Sequence, residues 1–119
     1  MNPTAFVRAA VAILCSLSAS ATLAAPPAAF AACGACHSAD GSPGVGPTMK
    51  GVFGRKAGTA AGFAFSPAMK GSGLSWNDKT LDAFLDNPAK VVPGNTMPFP
   101  GVPDAKQRAE IVQYLKTVK

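Results

Sequence analysis

Two of the chain's three cysteines and its single histidine fall within five consecutive positions, Cys33, Cys36 and His37, in the stretch "AACGACHSADG" from Ala31 to Gly41. Thiols and an imidazole this close together serve four chemistries: a redox dithiol, part of a zinc site, a structural disulfide, or covalent attachment of haem. Zinc needs four ligands, commonly a second Cys/His pair at similar spacing. Beyond Cys15 the sequence holds no further cysteine or histidine, which removes zinc. On a helix, Cys33, Cys36 at i+3 and His37 at i+4 project from nearly one face. Both thiols then meet the two vinyl groups of one haem while His37 reaches its iron from the same side, so the spacing reads as c-type haem attachment. A dithiol oxidoreductase usually carries its CxxC after a strand of an α/β fold, and no strand pattern precedes Ala31.

Iron held by one histidine keeps an open position. Electron transfer favours filling it, because two fixed ligands keep the geometry similar in both oxidation states, and a thioether favours iron(II) and raises the potential. Downstream of Cys33 the methionines are Met49, Met69 and Met97. Methionine ordinarily fills gaps in a core. Met97 differs, because "VVPGNTMPFPG" sets it in a loop stiffened by Pro93, Pro98 and Pro100 that can hold a sulfur at iron distance. The residues therefore predict His37 and Met97 as the two iron ligands.

The elements that must position these groups begin after a leader. Met1 to Arg8 is short and weakly basic, and "AAVAILCSLSASATLAA" follows as an uncharged run of apolar and small residues ending in Thr22-Leu23-Ala24, close to a small-x-small cleavage site. Residues 1–24 read as a cleaved secretory signal peptide and 25–119 as one mature domain, exported to the periplasm and soluble. The alternative is an uncleaved anchor, since nothing from Ala9 to Ala32 is charged. Serine, threonine and alanine dilute that run, and the cysteine motif would be pressed against the lipid. Cys15 leaves with the signal, because Leu14 stands where a lipidation site wants a small residue. In an oxidising compartment a lone CxxC without a cofactor closes into a disulfide.

The mature domain is short, with 12 glycines and 11 prolines in the chain and 8% aromatic residues. Domains of this size often need a metal, disulfides or a cofactor to complete a core. A large flat apolar cofactor fits that need independently of the motif. The formal charge of +5 falls by one when Arg8 is removed, and the basic residues are scattered. Without a dense basic run or an aromatic platform for bases, nucleic acid is excluded as a partner, and an acidic protein fits better.

A first helix is expected over "PPAAFAACGACHS", with proline tolerated in its first turn. Glycine or proline every few residues makes the following stretch a wrapped loop, with one helical turn near Ser66 to Lys70. In "SWNDKTLDAFLDNP", Asn77 is the N-cap, Asp78 lies in the first turn, Leu81, Phe84 and Leu85 form the apolar stripe, and Pro88 sets the stop. "DAKQRAEIVQYLKTVK" gives a C-terminal helix with Ala105, Ala109, Val112 and Leu115 on one face and Ile111, Tyr114 and Val118 beside them. The expected class is all-α: three main helices plus short turns and long loops wrapped around one covalent haem.

From about Phe30 to the C-terminus the sequence resembles the class I cytochromes c, the mitochondrial type and its bacterial relatives. The resemblance rests on CxxCH, "GVGPTMKGVFGRKAG", "LSWNDKTLDAFLDNP", "VVPGNTMPF" and "RAEIVQYLK", in that order and spacing. It implies a covalent haem c, His37 and Met97 as axial ligands, and packing of the first helix on the last near Gly34 and Ile111 to Tyr114. It further implies that the Pro47 carbonyl accepts the N–H of the ligand histidine, fixing the ring and making it a stronger donor. Arg55 and Trp76 match a pair that binds a buried propionate, and Phe99 matches the aromatic beside the exposed haem edge. The chain departs from the family at Phe65 and Phe84, which replace frequent tyrosines, and at Met69, which replaces a frequent asparagine. It departs again where relatives carry a lysine ring, at Ala32, Ala89, Thr96, Pro103 and Asp104, with Lys90 retained.

The expected function is that of a monomeric monohaem carrier of single electrons between redox proteins such as a cytochrome reductase complex, a terminal oxidase or a dehydrogenase. No small-molecule substrate and no catalytic acid, base or nucleophile is expected. The alternatives are an electron-transfer subunit of a dehydrogenase or oxidase complex, or a haem peroxidase, which would need an open sixth position and a distal acid-base group.

Overall fold

The computed structural model describes residues 24–119, so Cys15 and nearly all of the expected leader lie outside the described residues. A 3-10 turn, Ala28–Phe30, runs into α1, Ala31–Gly34; then come α2, Pro67–Lys70; α3, Asp78–Asp86; α4, Pro88–Val91; and α5, Ala105–Thr117. Among the described residues the only β pairing is a single antiparallel bridge between Lys56 and Ser75. The fold is all-α, as expected.

Helices α2 to α5 each start where a side chain satisfies orphan N–H groups of the first turn, whereas α1 runs on from the 3-10 turn without a side-chain cap. Ahead of α3, Asn77 Oδ1 accepts from the Thr80 N–H at 3.0 Å while Thr80 Oγ1 accepts from the Asn77 N–H at 2.9 Å, a reciprocal capping box. Asn87 closes α3 and caps α4, its Oδ1 accepting from the Lys90 N–H at 3.0 Å. Pro88 then occupies the first position of α4, where no N–H is needed. Ser66 caps α2 and Asp104 caps α5 in the same manner, at 3.1 and 2.8 Å.

The stripe on α3, Leu81, Phe84 and Leu85, is buried and packs on α5 through Ile111, Val112 and Leu115. Side chains of this kind contribute about 1.5–3 kcal/mol each when fully buried. Phe30, from the 3-10 turn, meets Tyr114 of α5 edge to face with ring centroids 4.8 Å apart. Lys116 ties the end of α5 to both the start of α3 and the loop, pairing with Asp78 at 2.5 Å and lying over the Phe53 ring at 5.2 Å.

Three expectations need correction. The first helix is not continuous through His37: it is a 3-10 turn followed by four α-helical residues. Its docking on α5 is made by the 3-10 turn rather than near Gly34, where an added Cβ would meet only Phe30, at an ordinary 3.9 Å. On α5, Ala105 and Ala109 are exposed. The place in the stripe that Ala109 was expected to fill is taken by Arg108, one turn before Ile111 and Val112. Its guanidinium donates to the Val102 and Pro103 carbonyls, both at 2.9 Å, and pairs with Asp82 at 2.7 Å and Asp86 at 3.0 Å. The hydrogen bond to Asp82 raises the Arg108 pKa further, so the clamp stays charged wherever the fold survives.

Candidate haem site

Between these elements lies a cavity of about 470 Å³, within the ~300–1,000 Å³ typical of small-molecule sites. Cys33, Cys36, His37, Pro47, Arg55, Trp76, Met97 and Phe99 all line it, so the fold gathers every predicted site residue around one space.

One wall is the cysteine turn. Although the regular helix ends at Gly34, the Cys33 carbonyl accepts from the N–H groups of both Cys36, at 3.0 Å, and His37, at 2.9 Å. Helical spacing therefore persists through the motif and keeps the thiols and the imidazole on one side. The two cysteines are not joined to each other, and Cys33 is half-buried and Cys36 exposed. Burial pushes the Cys33 thiol up, opposite to the lowered pKa of a dithiol-exchange nucleophile.

The His37 ring is held from behind. Its Nδ1 lies 2.7 Å from the Pro47 carbonyl oxygen. A carbonyl can only accept, so Nδ1 carries the proton and Nε2 keeps its lone pair free for a metal. The preceding residue makes this approach feasible: a Cβ on Gly46 would stand 2.6 Å from His37 Cε1 and 2.8 Å from Nδ1. Backbone bonds fasten the same strip of loop to the motif, from the Gly46 N–H to the Cys36 carbonyl at 2.8 Å and from the Met49 N–H to the Ser38 carbonyl at 2.7 Å.

A second part of the lining is the loop segment Asn95 to Phe99, every residue of which lines the cavity, with the Phe99 N–H donating to the Met97 carbonyl at 2.9 Å. Pro93 and Gly94 turn the chain into it, with Gly94 at φ +85° and the Asn95 N–H donating to the Val92 carbonyl at 3.1 Å, the pattern of a type II turn. Met97 and Phe99 are half-buried and packed against the core. At the far end Gly101, at φ +118°, crosses α3 where any Cβ would collide with the Asp86 carbonyl oxygen. The Val102 N–H donates to the Leu85 carbonyl at 2.7 Å, and Arg108 holds the next two carbonyls.

All three downstream methionines line the cavity, but from different supports. Met69 is buried on α2 within the core cluster. Met49 is tied by its backbone to Ser38, next to His37, and so belongs to the histidine wall.

Arg55 and Trp76 are brought side by side by the Lys56–Ser75 bridge, whose flanking bonds run from the Trp76 N–H to the Arg55 carbonyl at 2.9 Å and from the Gly54 N–H to the Trp76 carbonyl at 2.7 Å. Arg55 Nη1 and Nη2 donate to the Lys50 and Thr48 carbonyls at 2.9 and 3.0 Å, which leaves further N–H groups of its five free. Burial pushes its pKa down, so a negative partner would be welcome there. Trp76 lines the cavity and is buried against Phe84, with ring centroids 5.1 Å apart, and no side-chain hydrogen bond among the described residues uses its indole N–H. Two donor side chains with unspent capacity at one edge of an otherwise apolar cavity suit the carboxylates of a haem.

Around the rest of the wall stand Phe65, Met69 and Phe84, none of which offers a hydrogen-bond donor. Sequence reasoning missed three contributors. Gly46 could have been flagged as the small residue before Pro47, and Asn95 as the residue closing a Pro-Gly turn; Arg108 could have been flagged as a charge on an apolar stripe. Ala32, Ala89, Thr96, Pro103 and Asp104, the positions lacking lysine, are all exposed, as is Lys90.

An all-α shell, a CxxCH turn, an apolar cavity and donors at its edge define a small c-type haem protein. The cytochrome c family profile matches residues 25–119. Cytochrome c2 iso-2 of Magnetospirillum molischianum is 48% identical over 94 residues, spanning 78% of this chain and 97% of the relative. Cytochrome c of Tetrahymena pyriformis is 51% identical over 86 residues, spanning 72% and 78%. Among solved structures, cytochrome cH from Methylobacterium extorquens superposes with a TM-score of 0.72 at 53% identity, covering 75% of this chain and 91% of that one. The chain belongs to the cytochrome c family. It carries one haem c joined through Cys33 and Cys36, and its function is single-electron transport.

Proposed function

We propose that His37 and Met97 are the two axial ligands, that Arg55 and Trp76 bind one haem propionate, and that electrons enter and leave at the edge beside Phe99. The bound haem c supplies a reversible one-electron iron couple. The chain's own part is to hold, orient and insulate. Cys33 and Cys36 fix the ring in place, and the Pro47 carbonyl holds His37 in the tautomer that leaves Nε2 free. Phe65, Met69 and Phe84 keep water from the cavity. Excluding water lowers the reorganisation needed when charge changes, which is what a carrier requires.

What supports the ligand assignment is how each methionine is held: the Met49 backbone is bonded to Ser38 beside His37, Met69 is buried in the core on α2, and Met97 lines the same cavity from a separate loop held by Asn95. The test is Met97→Ala in the haem-loaded protein. Loss of the thioether-to-iron(III) charge-transfer band and a high-spin or water-ligated spectrum are expected; an unchanged spectrum removes Met97 from the site.

In the same reading, residues 1–24 are a cleaved export signal, 25–119 are a mature monomer in the periplasm, and the protein passes electrons between larger redox proteins without itself being an enzyme. The weakly basic start through Arg8 and the uncharged apolar run after it support export. Among the described residues no helix is long and apolar enough to cross a membrane.

A further inference from the structure

Among the described residues, Asn95 is the only side chain that joins the Met97 segment to the turn of chain before it, and all its side-chain polar atoms are engaged. Its Nδ2 donates to the carbonyls of Pro88, at 3.0 Å, and Val92, at 2.8 Å, while its Oδ1 accepts the Met97 N–H at 3.0 Å. The neighbours fix the orientation of the amide, because two carbonyls need N–H groups and the Met97 N–H needs an oxygen. One half-buried carboxamide therefore spans from α4 to the backbone of the residue whose sulfur faces the cavity. Pro98 follows Met97 and has no N–H to add. Asn95 is thus the side-chain restraint on the Met97 N–H, while the Met97 carbonyl accepts from the Phe99 N–H at 2.9 Å; the next bonds that tie the segment to other elements lie at Val102 and Pro103.

We propose that Asn95 is a positioning residue for Met97, setting how readily the sulfur is displaced from iron by another ligand. The inference rests on Met97 being the sixth ligand. Asparagine at the end of a Pro-Gly turn also has a plain structural use, as a turn closer, and the two roles make different predictions. A turn closer stabilises the fold whichever ligand the iron carries. A positioning residue acts only while Met97 is bound, since a displaced Met97 has nothing left to position.

The test uses the haem-loaded ferric protein, titrated with imidazole as the competing sixth ligand, and compares wild type with Asn95→Ala and Asn95→Ser. In the first variant all three hydrogen bonds are lost; in the second a hydroxyl can still accept from the Met97 N–H two residues on but cannot reach Pro88. Imidazole should bind Asn95→Ala roughly tenfold more tightly than wild type, on the scale expected for hydrogen bonds lost from one state only. Asn95→Ser should recover part of that difference. Denaturant unfolding should separate wild type from Asn95→Ala without imidazole and bring them together at saturating imidazole. Equal imidazole affinities, or an unfolding difference that persists at saturation, overturn the proposal and leave Asn95 a turn closer. Met97→Ala run alongside separates the two readings: if it keeps the thioether band, the ligand assignment fails first, whatever Asn95 does.

Discussion

On the histidine side of the cavity the chain holds its ligand by short covalent and backbone connections: two cysteines within four residues of His37, a carbonyl at 2.7 Å and a glycine whose missing side chain makes room for the ring. On the methionine side it uses a loop pinned by Asn95 before Met97 and by Gly101 and Arg108 beyond Phe99, with one bond inside it from the Phe99 N–H to the Met97 carbonyl. On the proposed ligand assignment, the histidine side is fixed when the haem is attached, and the difference in support would place ligand exchange on the loop.

The largest effect should come from disturbing the rigid wall. Gly46→Val drives a side chain into the His37 ring, and overpacking of this kind costs about 1–3 kcal/mol. A lower thermal midpoint in the haem-loaded protein, together with a changed potential, is the expected result. Gly34→Ala is the matched control on the same wall: its Cβ has room, and the substitution should be neutral or slightly stabilising. A Gly34→Ala as damaging as Gly46→Val would restore the helix contact expected near Gly34.

A smaller effect is expected at the far anchor of the loop. Arg108→Ala strips the Val102 and Pro103 carbonyls of their donor and leaves Asp82 and Asp86 unpaired. The unfolding midpoint should fall, with imidazole affinity changing less than in Asn95→Ala, because Arg108 lies beyond Phe99. Arg108→Lys should recover only part of the midpoint, since an ammonium cannot reproduce the fork. If Arg108→Ala weakens Met97 ligation more than Asn95→Ala does, the loop is governed from its far end. The smallest effect concerns the rim. With Val45 80% exposed beside the cavity and no lysine at Ala32, Ala89 or Thr96, electron-transfer rates should fall only shallowly as salt rises. A steep fall would mean that scattered lysines still steer docking.

What could be read from the sequence was what is local. Asn77 announces a helix start because capping is settled within three residues. Leu81, Phe84 and Leu85 announce a buried face because helical periodicity is fixed by backbone geometry. The cysteine motif is legible for the same reason, its chemistry lying within five positions. Arg108 was not legible, since its partners arrive from α3 and from the loop before α5, and only the folded chain brings them together. The break between the 3-10 turn and α1 was hidden as well: an alanine-rich stretch has no residue that forbids a continuous helix, so packing of Phe30 on Tyr114 decides. Asn95 was read as part of a stiff loop, but its three bonds depend on where α4 ends.

Phe30, Trp76, Leu81, Phe84, Ile111 and Leu115 belong both to the buried core and to the cavity wall. The cofactor is therefore also a packing partner for most of the large apolar side chains. Biogenesis inherits that arrangement. Much of the core of a newly made chain faces the space its haem fills, so haem-free protein should be less compact and more readily cleaved by protease than the loaded form.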